Sequence, residues 1–419
     1  MTRVAITGVG AVTPLGNDAR STWQGLVAGR SGISALRTFD ASTFPVRIAA
    51  QVTGFDAAGT LGRAARRLSR AAGFAVAAAD EAIGDAGIGW NAGSEWTRGV
   101  CLAGTVGRVE LPDLVELADD VLAARYPRQH PAGVALRDQT YASAFIARRH
   151  GFGGPVVNLS TACAGAANAI GEAVRMIRGG ECELVLAGGY DSLTSWLDVL
   201  GFSLLGALAH GWEDVPSAAS RPFSVDRNGF VLGEGAVVLV MEDLARAVAR
   251  GATVHAELAG YGSTLNAYRI TDSPPDGGGA TEAMRQAIAD AGAVPEQVDY
   301  VVAHGTGTPG NDASETAAIK RVFGAHADAL CVSSPKSMTG HLTAAAAGVN
   351  VIAALGALRD QVVPPTMNLH RQDPLLDLDF VPLRARDRAV DTVLANAFAF
   401  GGTNASMLLR AAPEGRHDA

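Results

Sequence analysis

The sequence predicts a layered α/β protein made of two related halves, about residues 1–250 and 251–419. Three observations predict it. Short apolar, β-branched runs alternate with Ala-rich helical stretches along the whole chain. The run VHAELAGYGST at 254–264 repeats the strand-then-glycine character of VAITGVGAVT at 4–13. Two longer units, residues 155–178 (PVVNLSTACAGAANAIGEAVRMIR) and 331–358 (CVSSPKSMTGHLTAAAAGVNVIAALGAL), share one plan of β-run, Ser/Thr turn and Ala-rich helix.

In chain order, residues 3–12 read as a strand. Gly8-Val9-Gly10 invites a dinucleotide-binding reading, but Thr13 stands where the third glycine belongs. Arg63 to Gly87 reads as one helix, with Arg63, Arg66, Arg67 and Arg70 on a single face, either solvated or a docking patch for an acidic partner. A strand running into a turn is expected at 100–110 and a helix at 141–149. Val156–Leu159 reads as a buried strand, Ser160-Thr161 as a helix cap, and Gly179-Gly180 as the stop. Strands are expected at 183–189, 235–241 and 298–304, and helices at 242–250 and 281–292.

With 48% hydrophobic and 18% charged residues the chain is a globular one able to bury a large core. The net charge of −8 argues against nucleic-acid binding. No apolar run reaches bilayer length and the N-terminus lacks signal-peptide architecture, so a cytoplasmic protein that does not bind membranes is expected. Four cysteines without CxxC spacing suggest neither disulfides nor a metal site. Lys320 and Lys336 are the only lysines.

Cys163 falls where a strand turns into a helix. Free N–H groups and the positive end of the helix dipole favour a thiolate there, as a nucleophile requires. His304 ends a strand before the loop GTGTPG, and His341 opens a helix after Thr339-Gly340. Two imidazoles converging on a cysteine supply hydrogen bonds to a thioester carbonyl and to the charge that develops in acyl transfer. Lys336 can pair with Glu315. Phe398, Phe400, Gly401 and Gly402 form a loop between strands whose N–H groups can complete an oxyanion hole.

Together STACAGAANAIGEA, VVAHGTGTPGND, SSPKSMTGH and NAFAFGGTN resemble the cysteine, first-histidine, lysine/second-histidine and glycine-rich motifs of the β-ketoacyl-acyl-carrier-protein synthases, KAS II type, of the thiolase superfamily. The likeness spans essentially the whole chain and includes the ketosynthase subunits of type II polyketide synthases. It implies a thiolase-like five-layered αβαβα fold, a dimer, and decarboxylative Claisen condensation without a metal or redox cofactor, the substrates riding on the phosphopantetheine of acyl carrier protein. By that resemblance Cys163 is the acylated nucleophile, and His304 and His341 bind the malonyl thioester and stabilise its enolate. Lys336 with Glu315 organises the second histidine's loop, and the N–H groups of Cys163 and Phe400 form the oxyanion hole. Thr271, Thr306 and Thr308 match contacts to the phosphopantetheine arm, while Phe202, Phe398 and Phe400 match the acyl pocket. The partner is a second copy or a chain-length-factor-like ketosynthase.

Relatives are set aside residue by residue. A thiolase has a second cysteine where this chain has a histidine, a ketosynthase starting from acyl-CoA carries asparagine for one histidine, and a chain-length factor lacks Cys163. There are also departures. The helix after His341 reads HLTAAAAGVN, with Ala344, and ends in Asn350 where the family has a glutamate near a monovalent-cation site. Arg108, Glu110 and Asp113 replace an apolar stretch expected at the acyl-pocket floor, so either those side chains point away or the pocket takes an acyl group shorter or more polar than a long saturated chain. Gly206 stands where an arginine often serves carrier docking. Fatty-acid elongation and type II polyketide or polyene assembly both fit. The alternatives are a non-condensing, carrier-binding scaffold subunit, which has no need of Cys163 and two histidines, and a Cys-His hydrolase, which needs a path for water.

Overall fold

A computed structural model describes residues 2–89, 94–105, 107, 110–126, 133 and 138–412. Ten strands form its large sheet: β1 (Val4–Val12), β2 (Arg98–Gly104), β3 (Val156–Leu159), β4 (Leu184–Ser192), β5 (Glu234–Asp243), β6 (Ala256–Leu265), β7 (Tyr300–Val302), β8 (Cys331–Ser333), β9 (Thr392–Phe398) and β10 (Thr403–Arg410). Their spatial order is β8-β7-β9-β10-β6-β1-β5-β4-β2-β3. Counted from each half's own first strand, both halves therefore run third-second-fourth-fifth-first. In each, the fourth and second strands and the second and third pair in parallel, and the fifth pairs antiparallel with the fourth and first. The halves meet at β1 and β6, antiparallel through Val4–Leu258 and Ile6–Ala256.

Helices fill the layers between and outside. The longer ones are α1 (Ala19–Val27), α2 (Arg70–Asp85), α3 (Leu111–Leu122), α4 (Gln139–His150), α5 (Gly165–Arg178), α6 (Trp196–Leu204), α7 (Gly278–Asp290), α8 (Pro309–Phe323) and α9 (Ala346–Asp360). One core packs α5 and α9 between the two half-sheets. A second packs α2 and α4 on the outer face of the first half, and a third packs α7 and α8 on the outer face of the second. The result is the five-layered αβαβα fold. Ala346 to Leu358 are all buried, which explains the sequence: a helix with sheets on both sides has no polar face to spare.

The glycines of β1 have a packing role. A Cβ on Gly8 or Gly10 would lie 2.2 or 2.0 Å from the carbonyl oxygens of Ala82 or Ala78 in α2. Gly260 and Gly262 in β6 bring α7 equally close, at 2.0 and 2.1 Å from the Ala287 and Ala283 oxygens. Gly8-Val9-Gly10 is thus a helix-docking strip, which accounts for the motif's incompleteness as a dinucleotide fingerprint.

Several local expectations are corrected. Arg63 to Gly87 is two elements: a 3₁₀ segment Gly62–Arg67, then α2, which starts at Arg70 because Ser69 caps it by accepting from Ala72 N–H. Val156–Leu159 is a strand but not buried; β3 is the sheet's outer edge and Val156 is exposed. No helix among the described residues is long and apolar enough to cross a membrane.

Candidate active site

Cys163 sits in the 3₁₀ turn Ala162–Ala164 that runs into α5. The first residue of this turn, Ala162, has φ +46, a left-handed conformation that L-residues adopt at a cost. The other half repeats the device. The turn Thr343–Ala345 runs into α9, and Thr343 has φ +47. Ala344 is therefore the positional counterpart of Cys163. His341 does not open a helix; it forms an isolated bridge with Leu232, and its backbone N–H donates to the Val231 carbonyl at 2.7 Å. Nor do Ser160 and Thr161 cap α5, whose N-cap is Ala164 without a side-chain bond.

A cavity of about 210 Å³ collects the reactive groups. Cys163, His304 and His341 line it together with Thr271, Thr306, Thr308, Phe398 and Phe400. The two imidazoles lie edge to face, 5.4 Å between centroids, with Phe398 5.6 Å from His304 and Phe230 5.3 Å from His341. Phe202 stands one aromatic layer back, edge-on to Phe230 at 5.8 Å. Gly206 lies at the cavity mouth.

Burial sets the protonation states. Both histidines are held well below 6.5, first by desolvation and then by the Lys336 charge, so they are neutral. Nδ1 of His341 accepts from Thr343 N–H at 3.2 Å, leaving Nε2 to carry the proton. His304 Nδ1 is buried without a hydrogen-bond partner among the described residues. The Cys163 thiol is pushed up to about 11 by burial, against the pull of Lys336 and of the backbone N–H groups of Phe400 and Cys163 at the sulfur. Cys163 is therefore a thiol at neutral pH. Desolvation outweighs the dipole of a helix that begins two residues later.

Lys336 and Glu315 grip the loop of the first histidine, not the second. Lys336 Nζ donates to the His304 carbonyl at 2.6 Å, and Glu315 accepts from the N–H groups of His304 and Gly305, both at 2.8 Å. Asn396 donates to Glu315 at 3.1 Å and accepts from Ser406 at 2.8 Å. Asn350 donates to the carbonyls of Ala303 and Asn396 at 3.3 and 2.9 Å, tying the strand end before His304 to β9.

Some supporting residues have no distinctive sequence signal. Asp312 is fully buried and shapes the loop after His304, accepting from Thr306 and Gly307 N–H at 3.1 and 3.2 Å and from Phe223 N–H at 2.8 Å. It directly follows Gly310-Asn311 in a quoted motif, so proximity was the only clue. Asp191, pushed up to about 6 by burial, holds the turn after His341 through Thr343 and Ala344.

A second cavity of about 710 Å³ adjoins Asp191, and Glu110 and Asp113 line it. Arg108 lies outside the described residues. Arg63, Arg66 and Arg67 are exposed, whereas Arg70 is paired with the buried carboxylate of Glu234 at 2.6 Å. Glu234 also accepts from Val52 N–H at 2.9 Å and Ser192 hydroxyl at 2.6 Å, so Arg70 belongs to a structural network.

A buried cysteine facing two neutral histidines in a thiolase-like frame fits a condensing enzyme of the acyltransferase class, the class that the relatives' names imply. Family models for "Beta-ketoacyl synthase, N-terminal domain" and "Beta-ketoacyl synthase, C-terminal domain" match residues 1–247 and 255–370. The 3-oxoacyl-[acyl-carrier-protein] synthase 2 of Synechocystis sp. is 42% identical over 410 residues, covering 97% of this chain and 98% of that protein. A solved ketosynthase described as bound to the hexaketide, in complex with its type II polyketide-synthase acyl-carrier protein, superimposes with TM-score 0.88 at 32% identity, covering 98% of this chain and 100% of that one. The ishigamide ketosynthase/chain length factor gives 0.88 at 35% with the same coverage. The chain belongs to the β-ketoacyl synthase family, and its function is that of a β-ketoacyl-acyl-carrier-protein synthase.

Proposed function

We propose that Cys163 takes an acyl group from acyl carrier protein and that the chain extends it by two carbons with malonyl-carrier. The observation that carries this reading is the convergence of Cys163, His304 and His341 on one cavity, with the N–H groups of Cys163 and Phe400 at the sulfur. The sulfur attacks the acyl thioester, and those two N–H groups receive the oxyanion. The tetrahedral intermediate collapses with loss of the pantetheine thiol, which leaves with the cysteine proton. The malonyl thioester carbonyl then accepts hydrogen bonds from Nε2–H of His341 and from His304. CO2 departs, and the C–C electron pair becomes an enolate held by the same donors. The enolate attacks the acyl-Cys163 carbonyl; a C–C bond forms, the C–S bond breaks, and the freed thiolate takes a proton from water. Neutral imidazoles suit this role, since they donate hydrogen bonds without trapping the enolate as a protonated product.

In this reading Lys336 and Glu315 fix the His304 peptide. Thr271, Thr306 and Thr308 receive the pantetheine arm, and Phe398 and Phe400 close the acyl channel with Phe202 behind them. The exposed Arg63, Arg66 and Arg67 meet an acidic carrier surface, with Arg70 at the border of that patch. The chemistry is complete without a metal or redox cofactor. The two halves, 1–250 and 251–419, form one catalytic unit that works as a homodimer or beside a chain-length-factor-like partner, in the cytoplasm. An acyl chain extending into the second cavity would meet the carboxylates of Glu110 and Asp113, which favours polyketide-type or polyene acyl groups over long saturated ones.

The test is the intact mass of carrier-bound products from acyl-carriers of graded length and unsaturation plus malonyl-carrier, with Cys163→Ala as control. Two-carbon extension absent from the control supports the reading. Carrier binding without acylation of Cys163 overturns it in favour of a non-condensing subunit.

A further inference from the structure

Thr343 is a β-branched residue in a backbone region that favours glycine, with φ +47. Its side chain explains how the conformation is kept. The Thr343 hydroxyl donates to Asp191 Oδ2, which also accepts from the Thr105 hydroxyl at 2.8 Å and from Ala344 N–H at 3.1 Å. Asp191 Oδ1 takes Ser192 N–H at 3.1 Å. The carboxylate is 3% exposed and lies near the end of β4, so it reaches from the first half of the chain to the turn of the second. Held in this way, Thr343 aims its own N–H at Nδ1 of His341. Nδ1 is thereby made the acceptor, and the proton of the neutral ring goes to Nε2. A buried anion that binds three donors on one oxygen holds such a strained turn more firmly than neutral groups can.

We propose that Asp191 and Thr343 are a positioning pair that sets the tautomer and ring orientation of His341. The inference rests on the reading of His341 as the donor to the extender thioester. For Thr343 it predicts an effect on one half-reaction only, because His341 acts on malonyl-carrier while acylation depends on the Cys163 turn.

The experiment compares Asp191→Asn, Thr343→Ala and Thr343→Ser in the full chain. Three quantities are read: acylation of Cys163 by acyl-carrier, CO2 release from malonyl-carrier, and the ¹⁵N signals of labelled histidine. Loss of the hydroxyl in Thr343→Ala should slow CO2 release about tenfold while acylation stays within about twofold, and Thr343→Ser should restore it. Asp191→Asn should slow CO2 release likewise, with its acylation free to change because the Asp191 charge also acts on the Cys163 thiol. The His341 signals should change from a single Nε2–H tautomer to a mixture in Thr343→Ala and revert in Thr343→Ser. In Thr343→Ala, unchanged tautomer signals or equal losses in both half-reactions overturn the pair. Thr343→Ala tests it should Asp191→Asn not fold. If the parent chain neither acylates nor releases CO2, the functional reading fails on its own, and the tautomer signals still decide the pair.

Discussion

Lys336 and Glu315 hold the backbone of one residue, His304, from its two ends. The lysine donates to the His304 carbonyl at 2.6 Å while the glutamate accepts the His304 N–H at 2.8 Å. Burial pushes the lysine down and the glutamate up; the Glu315 charge opposes the first shift, and hydrogen bonds from Gly305, His304 and Asn396 oppose the second. The clamp fixes where the imidazole of His304 enters the cavity.

Removing either member should therefore cost both stability and rate. Lys336→Met leaves the buried His304 carbonyl without its donor and removes the positive charge that acts on Glu315, and should destabilise the protein by about 3 kcal/mol. Glu315→Gln keeps the shape but replaces an acceptor of two N–H groups with an amide able to accept only on one side. Urea unfolding and CO2 release from malonyl-carrier check both, and a Lys336→Met variant of unchanged stability and rate would remove the clamp from the account.

The buried histidines give a pH dependence of defined sign. Their folded-state pKa values lie below the ordinary 6.5, so below that pH the folded state binds fewer protons than the unfolded chain and stability is lost as pH falls. Asp191 works oppositely between 3.8 and about 6, because its folded-state value is raised. A comparison of the parent with His341→Asn isolates one histidine. The stability difference should shift by up to about 1.4 kcal/mol per pH unit from pH 6.5 downwards and be flat above it.

The four arginines separate into two kinds. Arg66→Glu and Arg67→Glu should weaken carrier binding and reduce its salt dependence, with stability unchanged, because both side chains are exposed. Arg70→Ala should instead lower stability by about 2 kcal/mol, less than a fully buried pair because Arg70 is half-exposed while Glu234 is not. Binding titrations at two salt concentrations, alongside urea unfolding, distinguish them.

Gly10 and Gly262 are packing positions in the two halves. An added Cβ meets a backbone oxygen of α2 or α7 at 2.0 or 2.1 Å, and backbone cannot swing aside as a side chain can. Gly10→Ala and Gly262→Ala should each cost about 2 kcal/mol or more in urea unfolding. A dinucleotide-binding role for Gly10 would show instead as unchanged stability.

Element types were local properties, and they were legible. The alternation of strands and helices, the Cys163 turn, and the glycine loop at 401–402 each depend on residues close in sequence. Most departures arose where a partner lies far along the chain. Arg70 leaves the arginine face because Glu234, 164 residues later, binds it. Lys336 serves His304 because folding brings positions 32 apart to 2.6 Å. The thiolate expected of Cys163 is a thiol because sheets and helices from both halves remove its water, and desolvation exceeds the field of one helix end. Asp191 becomes a site residue only when Thr343, 152 positions away, is placed against it. The sequence by itself determined which groups can react and on which local turns they sit. Tertiary structure decided which of them meet, how dry they are, and hence which protons they carry, since burial and long-range pairing are properties of the whole packed chain.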